Sequence, residues 1–332
     1  MKLKLEKPSQ EISDAYVRKL MPSLIKRIKE GVANGPNNPR IQLSDSAKAV
    51  LLPDWNSDQP QNTDRLKELL ISEPTDLLTK EQEINDDFAN IAVEADRPTN
   101  KVLEAIMGYG AVFNSQSKSK AFWLAKQVGR NTCVYCNRQY VFTVERGDGT
   151  TKDDRIARPE FDHWFPKSTH PLLSISLFNL IPSCTVCNSS VKGTEEFAIG
   201  THIHPYVHED GHPDFKFRVA PSTTPKLKWA VKLDAANDSK EQRTIKDMCL
   251  EELYSMHGNL EVNDLMEFKM KYPDGYLKQL MHDVMKDIKV PYRLTLEEVY
   301  RMFFGVEMKE EKYLDRPFSK MKHDILHDMG VV

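Results

Sequence analysis

The sequence predicts an α+β protein that is mostly helical, with a small strand–strand–helix module between a helical region before it and a hairpin plus helices after it. Three observations carry this. Apolar residues recur at helical spacing through most of residues 1–130 and again from residue 239 onward. The period changes at residues 139–144, where Gln-Tyr-Val-Phe-Thr-Val is rich in aromatic and β-branched side chains. Two Cys-x-x-Cys pairs, Cys133 with Cys136 and Cys184 with Cys187, bracket the strand-rich part. The expected organisation is a helical region over 1–130, the central module over 131–205, and a β-hairpin plus helices over 206–332.

Residues 11–32 form the first expected helix. Ile12, Val17, Leu20, Leu24, Ile25 and Ile28 recur near helical spacing, with Arg18, Lys26, Arg27 and Lys29 between them as a solvated basic face. Pro22 should kink this helix or start a second one. Gly31 and the run Asn-Gly-Pro-Asn-Asn-Pro at 34–39 end it. A short helix follows at 44–52, with Ser44 as its cap, then a polar loop and a helix at 64–72. Thr79 should open the next helix. Pro98 precedes a helix at 100–107, Gly108 and Gly110 break it, and 117–128 is the last helix before the cysteines.

Beyond Cys136 a strand is expected at 139–144, then a turn at Arg146-Gly147-Asp148-Gly149. A second strand over 156–161 completes a hairpin, with Pro159 confining it to an edge. Residues 184–192 should turn into a short helix that stops at Gly193. Residues 215–219 and 227–233 alternate apolar and polar side chains and read as two paired strands. Helices are expected at 239–257, 262–271, 275–288, 295–304 and 319–329, and no internal repeat is present.

The composition of the 332 residues, 40% hydrophobic and 29% charged, is that of an ordinary soluble globular protein of about two domains. The net charge of −3 argues against a strongly basic polyanion binder. Residues 111–200 nevertheless carry 11 Lys or Arg against 8 Asp or Glu, so the centre is positive on an acidic chain. Modest unaided affinity for a polyanion follows. The most apolar stretch, 172–181, contains Ser174, Ser176 and Asn179 and is too short and polar to span a bilayer. With no secretory pattern over the first ten residues, the expectation is a cytoplasmic protein that does not engage membranes.

Of five cysteines, four fall into the two pairs. A two-residue spacing suits chelation, because the backbone turns both thiolates toward one ion. Cys133, Cys136, Cys184 and Cys187 would close a four-sulfur shell, which marks a structural zinc rather than a catalytic one. Such sites contribute roughly 10–16 kcal/mol to folding in small peptides at neutral pH. Four buried reduced cysteines are the plain alternative, and two matched pairs speak against it. Cys249 is expected mid-helix as a core residue.

Between the pairs lies Asp162-His163, followed by Asn179 and Asn188. An Asp-His pair alone is most often a turn with a satisfied imidazole. Taken together, Cys133-x-x-Cys136, Asp162-His163, Pro166, Asn179-Leu180, Cys184-x-x-Cys187-Asn188 and Lys192 resemble the HNH, or ββα-metal, nucleases of the zinc-containing type. The resemblance covers about residues 131–193. It implies a metal-dependent endonuclease that hydrolyses phosphodiester bonds, DNA ahead of RNA, leaving 5′-phosphate and 3′-hydroxyl ends. His163 would be the general base, Asp162 and Asn188 the ligands of a catalytic Mg²⁺ or Mn²⁺, and Asn179 the residue that fastens the loop and orients the base. These roles fit the chemistry: a near-neutral imidazole activates water, and a hard cation takes oxygen ligands.

Lys192 matches the family's trailing lysine and, with Lys167 and Arg138, is placed to meet phosphates; a solvated face also accounts for Lys167 and Arg138. The family often has histidine where this chain has Asn188, and asparagine is also common there. The interval from Cys136 to Asp162 is longer than in compact members, with a loop insertion over 147–154. His202 and His204 read as surface or hydrogen-bonded histidines, and Trp164 as core. The layout looks like the HNH effectors of prokaryotic anti-phage systems, some of which, as in Septu, work beside an ABC-type ATPase. Two other readings stay open: a zinc-stabilised nucleic-acid-binding module without cleavage, and an HNH nuclease that cuts RNA. A zinc knuckle for protein contact would leave Asp162, Asn179 and Asn188 unexplained.

Overall fold

Ser9 accepts a hydrogen bond from the Ile12 amide and so starts helix α1, Gln10–Glu30. Tyr16, Leu20, Leu24 and Ile28 are buried along one side of it. Pro22 lies inside this single helix, which is not divided in two. The computed structural model describes residues 4–331 except 37, 56–61, 95–96, 114–119, 148–150, 152–153, 208–214, 224–226, 273–274, 277–278, 280–281 and 284–294. It is α+β, about half helical, with small antiparallel sheets.

Helices α2 (Asp45–Leu51), α3 (Asp64–Ile71), α4 (Leu77–Phe88) and α5 (Thr99–Met107) follow α1. Ser44 caps α2 through the Ala47 amide. The fourth helix begins two residues before Thr79, at the turn after Asp76. The Arg27 side chain donates to the carbonyl of Ile106 at 2.7 Å, where the last carbonyls of α5 lack helical partners. Gly108 follows in a left-handed conformation with φ 53°, and a Cβ there would sit 2.4 Å from the Arg27 guanidinium. Glycine takes this conformation without strain and leaves the guanidinium in place. The chain then makes a π-helical turn, Tyr109–Phe113, and α6 (Lys120–Val128) leads to the cysteines.

The described strands form three two-stranded antiparallel sheets. In the first, β1 (Val144–Glu145) pairs with β2 (Arg155–Ala157). The strand expected over 139–144 shrinks because its first half turns back on the cysteine loop. Tyr140 bridges Thr132, and the Val141 amide donates to Asn131. The strand expected over 156–161 is divided, since Pro159 has no amide hydrogen and separates β2 from β3 (Glu160–His163). β3 pairs with β4 (Leu180–Ser183), placing Asp162 opposite Ile181 and His163 opposite Leu180. A π-helical segment, Val186–Lys192, follows β4 and ends at Gly193.

β5 (Lys216–Pro221) and β6 (Trp229–Asp234) form the expected hairpin. The helix expected over 239–257 is instead α7 (Lys240–Asp247) and α8 (Leu250–Ser255). Cys249 breaks it with φ 44°, and is exposed rather than a core residue. Helix α9 (Glu261–Lys271) comes next. The helix expected over 275–288 lies largely outside the described residues. α10 (Leu296–Phe304) opens on a capping box between Thr295 and Glu298, and α11 (Ser319–Asp328) closes the chain.

The first cysteine turn is clamped by the far end of the chain. Asn137 Nδ2 donates to the carbonyls of Tyr313 and Arg316, and the Phe318 amide donates to the Asn137 carbonyl. The Tyr254 hydroxyl donates to the Cys136 carbonyl. Most of the buried apolar side chains among the described residues make one continuous cluster from Leu5 to Leu326. Among the described residues no helix is long and apolar enough to cross a membrane.

Candidate functional site

Cys133, Cys136, Cys184 and Cys187 converge with their sulfurs all within 4.8 Å of one another, and all four are buried. The first pair sits on the turn after Thr132, and the second joins β4 to the π-helical segment. The Cys187 amide donates to the Cys184 sulfur at 3.5 Å. Hydrogen bonds from Cys133 pull the Cys136 and Cys184 thiols down, while burial pushes Cys133 up. Four mutually adjacent, buried sulfurs fit a tetrahedral zinc, so the cluster can hold one.

Next to it, β3 carries Asp162-His163 into a cavity of about 500 Å³. Asp162 is 2% exposed. Its Oδ2 accepts from the Tyr135 hydroxyl at 2.5 Å and lies 3.4 Å from the Lys192 ammonium. Burial pushes the Asp162 carboxyl up and the Lys192 ammonium down; their mutual attraction opposes both shifts.

His163 Nε2 lies 2.9 Å from the Ser174 carbonyl oxygen. A carbonyl can only accept, so Nε2 carries the proton and the ring lone pair is on Nδ1. Burial pulls this histidine down to about 4, aided by the Lys167 and Lys192 charges and opposed by the Ser174 carbonyl. The ring also meets Tyr109 edge to face at 4.4 Å.

Asn179 is fully buried and closes the loop that follows His163. Its Oδ1 accepts from the Phe165 amide at 2.7 Å, and its Nδ2 donates to the carbonyls of Phe165 and Leu173. The Trp164 amide in turn donates to the Asn179 carbonyl. Asn188, on the π-helical segment, lines the same cavity as Asp162 and His163.

The three cations singled out in the sequence go to different places. Lys167 is exposed at the cavity mouth, 5.5 Å over the Tyr109 ring. Lys192 is 1% exposed and directs its ammonium to Asp162 and to the His163 carbonyl at 2.8 Å, so it is turned inward rather than toward a phosphate. Arg138 is outside the cavity lining and donates to His257 at 3.1 Å, over the Tyr254 ring. His202 and His204 are both buried, not on the surface. His202 bonds Asp247 at 3.0 Å, and His204 packs on Trp164.

The residues lining the cavity that sequence reasoning missed include Tyr109, Arg158 and Glu160. Glu160 and Arg158 precede Asp162 at steps of two, the strand period, and that spacing was their signal. Tyr109 comes from the helical N-terminal region and is delivered by the turn after Gly108, which no local pattern announces.

No family model matches the chain, and no solved structure matches it. It is similar to the Septu protein PtuB of Bacillus thuringiensis, with 32% identity over 81 residues. That match covers 24% of this chain and 26% of PtuB, so the likeness spans about a quarter of each protein.

Proposed function

We propose that this chain is a metal-dependent HNH endonuclease that hydrolyses phosphodiester bonds, DNA first, and serves as an effector of anti-phage defence. The observation that carries the reading is the shared cavity of Asp162, His163 and Asn188, in which the Ser174 carbonyl commits His163 to a lone pair on Nδ1. Burial keeps that imidazole neutral, so the Nδ1 lone pair is unprotonated near neutral pH. Asn179 holds the loop behind it. The likeness to PtuB supports the defence role, and the ABC-type ATPase that accompanies some effectors of this kind is the partner to expect.

The oxygen donors suit a hard cation. The Tyr135 hydroxyl and the Lys192 ammonium both sit on Asp162 Oδ2, and the carboxylate also accepts from the His163 amide. Asp162 would therefore offer a divalent ion a remaining lone pair, with the Asn188 carbonyl as second ligand. When bound, Mg²⁺ or Mn²⁺ supplies positive charge at the scissile phosphate and the leaving oxygen. His163 Nδ1 takes a proton from water as the water oxygen bonds phosphorus. The bond from phosphorus to O3′ breaks, and O3′ leaves with a proton from solvent. Lys167 and Arg158 bring positive charge to the cavity that receives the phosphate.

The test incubates purified protein with plasmid DNA and with bulk RNA, in Mg²⁺, Mn²⁺ or EDTA, with and without the co-expressed ATPase. Metal-dependent cleavage that is lost in His163→Ala supports the reading, and the substrate arms separate DNA from RNA. Binding without cleavage, or equal behaviour of wild type and His163→Ala, rejects it.

A further inference from the structure

Glu160 lies two residues before Asp162 on β3, and both line the cavity. Its two oxygens are held separately. Oε1 accepts from the Thr185 hydroxyl at 2.9 Å, and Oε2 accepts from Asn188 Nδ2 at 2.7 Å. A carboxylate has no proton to give, so the Asn188 amide can meet it in one orientation only, NH₂ inward and carbonyl oxygen outward.

We infer that Glu160 is a positioning residue for the cation site: it fixes the Asn188 amide so that Oδ1, and not Nδ2, is offered to a divalent ion held with Asp162. The inference rests on the nuclease reading. An asparagine is a neutral, two-faced ligand, and a flipped amide would present hydrogens to the cation. Histidine or aspartate at this position would face no such ambiguity. The acceptor-only partner removes it.

Glu160 also grips Thr185 and Asn188 together, three residues apart on one turn, so a purely structural clamp must be separated from amide control. Glu160→Gln does this. With the glutamine oxygen on the Thr185 hydroxyl, its NH₂ faces Asn188 and draws the asparagine carbonyl inward. With its NH₂ on the Thr185 oxygen, which can also accept, the Asn188 amide keeps its orientation. Glu160→Leu, which offers Asn188 no acceptor, separates the two. Loss of such an outer partner lowers metal affinity by about 10–100-fold. Adding Asn188→Asp to Glu160→Gln restores the match, because the glutamine NH₂ donates to the new carboxylate and leaves its second oxygen outward.

Mn²⁺ binding to the full-length, zinc-loaded protein, followed by electron paramagnetic resonance of the free ion, reads this directly. Wild type should bind Mn²⁺ and Asp162→Ala should lose it. Glu160→Gln should bind about 10–100-fold more weakly at unchanged zinc content, and the double variant should regain most of that loss. Thr185→Val, which releases only Oε1, should bind nearly as wild type.

Wild-type affinity in both Glu160→Gln and Glu160→Leu, no recovery in the double variant where Glu160→Gln binds weakly, or an equal loss in Thr185→Val would overturn the inference while leaving the nuclease reading standing. Absence of Mn²⁺ binding in wild type, or its persistence in Asp162→Ala, would overturn both. If Glu160→Gln loses its zinc, the decision passes to Asn188→Asp: the double variant must bind Mn²⁺ more tightly than that single variant.

Discussion

The Tyr135 hydroxyl donates to Asp162 Oδ2 at 2.5 Å, so a residue inside the first cysteine pair holds the carboxylate that faces the cavity. Whatever fixes the turn between Cys133 and Cys136 also fixes Tyr135, and through it Asp162. The two halves of the site are therefore mechanically one. Tyr135→Phe removes the hydroxyl and nothing else. Hydrogen bonds to charged groups contribute about 1.5–3 kcal/mol, and urea unfolding should show a loss of that order. Zinc content should stay unchanged. Unaltered stability would mean that Lys192 and the His163 amide satisfy Asp162 without the hydroxyl.

Removal of a zinc held by the four cysteines should act on the whole site through the same link. The four thiols are buried and close together, and without a cation at their centre they cannot all ionise there. A strong chelator, or Cys184→Ser, should abolish cooperative unfolding of the region around β3 and β4, seen as loss of amide protection in hydrogen exchange. Asp162→Ala should keep that protection. A Cys184→Ser protein with wild-type protection and activity would show that the sulfur cluster is dispensable.

Lys192 offers a sharper contrast. Breaking a buried ion pair from one side strands the other charge and costs about 3–5 kcal/mol. Lys192→Met should destabilise by that order, and Asp162→Asn added to it should recover part of the loss. A phosphate contact would behave otherwise: stability would hold, and the salt dependence of DNA binding would become shallower. Urea melts of the single and double variants decide between the two.

Much of this was legible in the sequence, for identifiable reasons. Cysteine spacing is chelate geometry written in one dimension, so the four-sulfur cluster could be read directly. The Ser44 cap follows from a side chain that bonds locally, and the caps at Ser9 and Thr295, not among the expected ones, work the same way. β4 was hidden because residues 180–183 are buried throughout and show no alternation, and Pro182 argues against a strand. Lys192 is expected at a phosphate from its match to the family's trailing lysine. Its burial against Asp162 is not legible, because a lysine is almost never fully buried unless it is paired and this partner is thirty positions away in the chain. Cys249 looked like core because it lies between Met248 and Leu250; a backbone at φ 44° turns that register outward. Tyr109 reaches His163 only through tertiary packing, which no window of sequence contains.

His204 gives a prediction that does not depend on any metal. It is 2% exposed, against Trp164, with its Nδ1 accepting from the Tyr206 amide. Burial pulls it down to about 3, against a slight opposing effect of the Phe178 backbone. The sign follows. Above pH about 6.5 the ring is neutral whether the chain is folded or not, so it adds no pH dependence. As pH falls below that value the unfolded chain takes a proton that the folded one refuses, and stability drops until pH about 3. One such proton is worth up to about 1.4 kcal/mol per pH unit. His204→Phe keeps a ring against Trp164 and removes the proton site, at the cost of the Tyr206 amide's partner. It should be less stable than wild type at pH 7.5, yet lose less stability on going to pH 5.5. His163, which burial also holds low, remains in both proteins and sets the residual slope. Urea unfolding at the two pH values measures the difference, and identical pH slopes would show that His204 is protonated in the folded chain.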